Sequence, residues 1–253
     1  MSTISFQQLS VNKLRIEHNV CEYIRRSKER RPALHYILNL IRSNLPDSVI
    51  FGGIARDFSI IRSIFTSPSD IDIVANAAND EIECVIRDFS PNQNKFGGFR
   101  FLFHGFVFDI WPLSETWAFR SDDWKYMHPK KNNYDLLDLL ETTFFNMDSI
   151  IFHLTKKKLF SSKAFNDWII NFVMDINFID NPNPRGMARR AMKRVIRYGF
   201  PLSYRLAEYV YKYSINMKLS QIENLLLKHI YCYLKTGGSN DVFVFNPQLN
   251  LEL

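Results

Sequence analysis

The sequence predicts an α+β fold, a small mixed sheet with flanking helices followed by an all-α part, on three observations. The stretch Val49 to Val74, VIFGGIARDFSIIRSIFTSPSDIDIV, reads as strand, glycine turn, helix, loop and strand. The stretch FRFLFHGFVFDIW, Phe99 to Trp111, alternates in polarity on both sides of His104-Gly105, which is a hairpin signal. From Lys163 onward the apolar spacing is helical almost throughout, including the basic run Arg185 to Arg197.

With 253 residues the chain can bury a core as one large domain or two modest ones. The expected divisions are a helical segment over 1–45, a sheet domain over 46–162, and a helical domain over 163–253 that ends in a short tail. A formal charge of +6 and a pI near 9.2 permit an anionic partner such as RNA without requiring one. Cys21, Cys84 and Cys232 form neither a CxxC pair nor an even framework, which suits a reducing compartment. The N-terminus lacks the charged-then-apolar pattern of a signal peptide. No apolar run reaches membrane-spanning length, since Ile169 to Ile179 is broken by Asn171, Asp175 and Asn177. A soluble cytoplasmic protein with no membrane partner is the expectation.

Taken in order, residues 11–44 read as helical, with Leu34, Ile37, Leu38 and Ile41 on one face. The run Arg25, Arg26, Lys28, Arg30, Arg31 is either a solvated helix face or a patch for an RNA backbone. Val49 to Phe51 is a short apolar strand broken by Gly52-Gly53; a helix over Ile54 to Phe65 ends at Ser67-Pro68-Ser69. Asn79 to Phe89 reads as a helix capped by Asn79, with acids in its first turn. Residues 114–141 lack periodicity and predict a loop with short helices, in which Trp117 and Trp124 either pack, the simpler reading, or stack on a base. Ala164 to Phe172 is a helix, and further helices follow over 202–215 and 220–235. Gly237-Gly238 opens a tail with one short strand, Val242 to Phe245.

Asp70-Ile71-Asp72-Ile73-Val74 alternates with period two, so both carboxylates leave one face of a strand while Ile71 and Ile73 enter the core. Such a pair, about 7 Å apart along the strand, repels unless a cation stands between its members. The usual cation is magnesium, a hard ion that prefers carboxylate and phosphate oxygens. Gly52 and Gly53 offer bare backbone N–H groups beside a helix N-terminus, where phosphate binds. On the hairpin's return strand, Asp109 is a lone acid among apolar residues, and burying it unpaired would be expensive.

This combination resembles the head domain of class II CCA-adding enzymes and bacterial poly(A) polymerases, within the DNA polymerase β-like nucleotidyltransferases. That family reads GG-x-x-RD, about a dozen residues, then a D-x-D strand, and Gly52, Gly53, Arg56, Asp57, Asp70 and Asp72 match it. The family's third metal-binding carboxylate lies on the strand returning from such a hairpin, which is the place of Asp109. The segment Phe145 to Phe152 resembles a family strand that follows an RRD triplet; here Thr142, Thr143 and Phe144 stand in that triplet's place. NPNPRGMARRAMKRVIRYGF is similar to the family's neck motif, and nominates Arg185 and Arg189, one turn apart, for triphosphate or base contact. The resemblance covers roughly residues 46 to 200 and not the body and tail regions that hold tRNA in full-length members.

What the resemblance implies is two-metal nucleotidyl transfer, with Asp70, Asp72 and Asp109 holding two magnesium ions, or manganese in their place. The partners would be a nucleoside triphosphate and RNA, most simply a tRNA-like 3′ end. Two alternatives stay open: nucleotidylation of a protein hydroxyl, and a non-catalytic nucleotide- or RNA-binding module that keeps the fold.

Overall fold

The computed structural model describes residues 13–60, 70–129, 131, 133–237 and 242–247. It divides into two compact units, one reaching to Thr143 and adding Asp148–Ile170, the other formed by Phe144–Met147 and the chain from Asn171.

The first unit begins with α1 (Lys13–Arg30) and α2 (Pro32–Asn44). The expected continuous helix is broken between them because Pro32 has no N–H to donate and disfavours helical backbone at the residue before it. Arg31 accordingly leaves the helical region, with ψ at 64°, and Pro32 starts α2 at a position where its missing donor costs nothing. Leu34, Ile37, Leu38 and Ile41 form the buried face of α2, as the spacing predicts. Among the five cations at the end of α1, Arg25 and Arg26 pair with Glu22 one turn back, and Arg31 lies over the Tyr23 ring.

The sheet follows as β1 (Ser48–Phe51), β2 (Asp70–Ala75), β3 (Asn92–Gln93), β4 (Phe99–Phe103), β5 (Phe106–Pro112), β6 (Ile150–His153) and β7 (Lys158–Ser161). Their spatial order is β3-β4-β5-β2-β1-β6-β7, with β2 and β5 parallel and every other pairing antiparallel, so the sheet is mixed as expected. A parallel pair cannot be joined by a tight turn. The crossover contains α4 (Asn79–Ile86), β3 and β4. The α4 cap is Ala78 rather than Asn79: Glu81 reaches back to accept the Ala78 N–H at 2.8 Å, and Arg87–Phe89 continues as one 3₁₀ turn. His104 and Gly105 both take positive φ, 45° and 82°, as a two-residue hairpin turn requires.

Between β1 and β2 the described chain contains α3 (Gly53–Ile60); the rest of the helix expected to Phe65, and its Ser-Pro-Ser stop, lie outside the described residues. After β5 come the short helices α5 (Trp117–Arg120), α6 (Asp122–Met127) and α7 (Leu139–Thr142). Trp124 is buried against Phe119, which settles packing over exposure for that ring. α8 (Lys163–Asn171) buries Phe165 and Trp168 and, up to Ile170, belongs to the sheet unit.

The second unit is helical: α9 (Pro184–Tyr198), α10 (Tyr204–Ser214) and α11 (Gln221–Lys235). Pro184 opens α9 behind the Asn183 cap, and Gly199, at φ 70°, closes it in the left-handed conformation. Ala188, Ala191, Met192 and Val195 form its buried stripe, while its arginines and Lys193 ring the remainder. Phe144–Met147 joins this unit through a Phe145–Ile176 bridge, and Arg194 stacks over the Phe145 ring. The strand expected over Val242 to Phe245 is reduced to a single bridge from Phe243 to Leu202. No helix among the described residues is long and apolar enough to cross a membrane.

Candidate functional site

The three acids converge on one sheet face because of register. β2 runs parallel to β5 with Asp72 opposite Asp109, and residues paired across a sheet share a face. Asp70, two positions earlier, shares that face, while Ile71, Ile73, Phe108 and Ile110 are buried on the other. β1 is antiparallel to β2 with Ile50 opposite Ile73, so the turn at Gly52 leaves the sheet at the end where Asp70 begins β2. The acid face also carries Trp111, in edge-to-face contact with Phe51 at 6.0 Å.

Arg100, which no sequence motif marks, dominates the face. β4 pairs with β5 so that Arg100 lies directly opposite Asp109. Its Nε and Nη2 donate to the two Asp109 oxygens at 2.7 and 2.5 Å, and Nη2 lies 3.8 Å from Asp70. The hydrogen bonds and charge of Asp109, with further attraction from Asp70 and Asp72, hold the guanidinium well above its ordinary pKa. Asp109 is thus a half-buried acid whose desolvation is offset by a bidentate partner.

At the β1–α3 turn, Gly52 has φ +63°, a conformation that a Cβ would strain. Its N–H donates to the Ile150 carbonyl at 3.1 Å, so that amide is committed to the sheet rather than bare as expected. Gly53 opens α3, where first-turn amides have no intrahelical acceptor. Arg56 does not face outward as a cation for phosphate. It is mostly buried, with Nη1 donating to Asp148 at 2.6 Å and Nη2 lying 2.7 Å from Asp57. Burial works to lower its pKa, and the two carboxylates outweigh burial and raise it. The triad Arg56, Asp57, Asp148 therefore ties the turn to the 3₁₀ segment Asn146–Asp148 ahead of β6.

Arg185 and Arg189 belong to the second unit. Arg185 is exposed in the first turn of α9. Arg189 donates to the Lys218 carbonyl and lies 3.8 Å from Glu223. At the places of the family's RRD triplet, Thr142 ends α7, and Thr143 and Phe144 are buried.

The donor chemistry of Asp70, Asp72 and Asp109 suits a hard divalent ion, but the arrangement does not fit one. Among the described residues no three Asp, Glu, His or Cys side chains are placed to hold a single ion. Both oxygens of Asp109 are already taken by Arg100. In this arrangement the guanidinium holds the third carboxylate.

No protein-family model matches the chain, and no curated protein does. Solved structures do. A CCA-adding enzyme in apo form superposes with a TM-score of 0.50 at 17% identity, over 77% of this chain and 50% of that one. A tRNA nucleotidyltransferase, complexed with a primer tRNA and an incoming ATP analog, superposes with a TM-score of 0.51 at 15% identity, over 83% of this chain and 64% of that one. The chain thus spans between half and two thirds of the length of these relatives. Likeness at that identity speaks to architecture, and the chain has the fold of the CCA-adding tRNA nucleotidyltransferases.

Proposed function

We propose that this chain is an RNA-modifying nucleotidyltransferase that moves a nucleoside monophosphate from a triphosphate to the 3′ hydroxyl of a tRNA-like RNA. One observation carries this reading: Asp70, Asp72 and Asp109 share one sheet face at the end where the Gly52-Gly53 turn opens a helix. Phosphoryl transfer asks the protein for little beyond positioning and charge stabilisation. First-turn amides of α3 would orient the phosphates, and the Arg56–Asp57–Asp148 triad would keep that turn in place. Three carboxylates alone would repel a triphosphate, so the face needs a cation, and Arg100 supplies one. On the helical unit, exposed Arg185 is freer for an anionic contact than Arg189, whose guanidinium is engaged within that unit.

A second reading, a nucleotide- or RNA-binding module without transfer, is favoured by the same Arg100 grip on Asp109 and by Thr142, Thr143 and Phe144 at the RRD places. Incubating the protein and a divalent salt with labelled nucleoside triphosphates, total RNA and total protein separates these readings. RNase-sensitive label is the expected result. Label that resists RNase and vanishes with protease would move the chain to the protein-modifying class. RNA retention without label in either pool would establish the binding module.

A further inference from the structure

We propose that Arg100 is the resident counter-cation of the Asp70–Asp72–Asp109 face, so that a divalent ion can bind there only by displacing its guanidinium. The geometry carries this. Arg100 and Asp109 are cross-strand partners, and the guanidinium fork meets both carboxylate oxygens at 2.7 and 2.5 Å. The same Nη2 reaches to 3.8 Å from Asp70, and the charge of Asp72 also acts on it. One cation thus faces three acids.

The partners differ in freedom. Asp109 has 14% of its side chain exposed and sits on an inner strand, so it cannot leave. The Arg100 side chain is 56% exposed on a flexible stem, so it can swing into water. Arginine does not deprotonate in a protein, so lowering its charge by pH is no route to release. Exchange with another cation is. Asp109 would be neutralised without metal while the face as a whole stays negative, and metal affinity would be set by the cost of breaking a charge-assisted, bidentate contact. Only the consequence for activity rests on the function proposed above; the counter-cation itself does not.

The experiment measures Mn²⁺ affinity of the full chain by calorimetry or paramagnetic resonance, for wild type, Arg100→Ala and the double variant Arg100→Ala/Asp109→Asn. Melting temperature is followed in chelator and in Mn²⁺. Arg100→Ala should bind Mn²⁺ at least about tenfold more tightly than wild type, since one charge-assisted contact no longer competes. It should melt lower in chelator and recover in Mn²⁺, whereas wild type should barely respond. The double variant should lose the gain. Equal affinity in wild type and Arg100→Ala, or a gain that survives Asp109→Asn, overturns the proposal. Should Arg100→Ala fail to fold, Arg100→Lys keeps the charge without the fork: tighter Mn²⁺ binding than wild type supports the exchange, and equal binding overturns it. Nucleotide transfer is assayed in parallel. Tighter Mn²⁺ binding with no transfer by any form removes the enzymatic reading and leaves the counter-cation. RNA labelling by a chain whose Mn²⁺ affinity ignores Arg100 does the reverse.

Discussion

Removing the Asp148 carboxylate should destabilise the sheet unit selectively, because it takes one charged partner from a mostly buried guanidinium. Arg56 has 18% of its side chain exposed and Asp148 has 20%, and they meet at 2.6 Å. Breaking a fully buried ion pair by deleting one partner costs about 3–5 kcal/mol. Here Asp57 stays 2.7 Å from the same guanidinium, and some water reaches the cluster, which reduces the expected loss for Asp148→Ala to about 2–3 kcal/mol. For a chain of this size that is a fall of roughly 5–10 °C in melting temperature. Replacing both charges with apolar residues of similar volume, Arg56→Met with Asp148→Leu, should recover part of that loss, since neither of those ions is then left desolvated, although Asp57 loses its cation. Tryptophan fluorescence in a urea titration isolates the effect: all four tryptophans of the chain (Trp111, Trp117, Trp124 and Trp168) lie in the sheet unit. An Asp148→Ala loss below about 1 kcal/mol, or a double variant as unstable as Asp148→Ala, would refute the claim that this cluster fastens the β1–α3 turn.

Four further outcomes are expected. Gly52→Ala should cost about 1–2 kcal/mol in a urea titration because of its φ of +63°. A Cβ there has room, its nearest neighbour being the Asp148 carbonyl at 4.0 Å, so a neutral substitution would show that the turn can relax. Asp70→Ala should abolish transfer with melting nearly unchanged, because Asp70 is exposed and lies 3.8 Å from its cation; early melting would make it a structural residue instead. Burial, reinforced by Lys156 and opposed by Asp47 at 3.2 Å, lowers the pKa of the His153 imidazole. The unfolded chain then takes that proton more readily, so this contribution is present above the unfolded value of about 6.5 and is lost as pH falls below it. Melting curves of His153→Gln should therefore decline less than wild type between about pH 7 and about pH 5, and parallel curves would dismiss the effect. RNA binding should weaken with salt at a log–log slope of about −0.7 per phosphate contact, and a flat response would remove the RNA partner.

Much of the sheet was legible because its signals are local. Alternation in Asp70 to Val74 and in the Phe99–Trp111 hairpin marks the strand positions, and β2 buries Ile71 and Ile73 as expected. Where expectation and structure part, a local competitor wins. Pro32 interrupts a spacing that is otherwise helical from α1 through α2. At α4 the cap moved to Ala78 because Glu81, in the first turn, satisfies the backbone by itself. The role of Arg56 was not legible at all. Its sequence neighbour Asp57 is one of its partners, and another, Asp148, lies 92 residues away in a segment whose family match suggests a strand rather than a 3₁₀ turn.

Arg100 is different, because its position was recoverable. A two-residue turn at His104-Gly105 places Phe103 opposite Phe106, and each step away from the turn follows without freedom, which brings Arg100 opposite Asp109. Facing residues of opposite charge on a half-exposed strand pair will meet unless something stronger separates them. A balance of charge drawn over the carboxylates of β2 and β5 alone points to magnesium. Extending it one strand further, to β4, supplies a cation from the chain itself. Whether a divalent ion then enters depends less on the number of carboxylates than on how firmly they already hold an arginine. In any sheet where acids gather on one face, the cross-strand neighbours must therefore be counted before a metal is inferred.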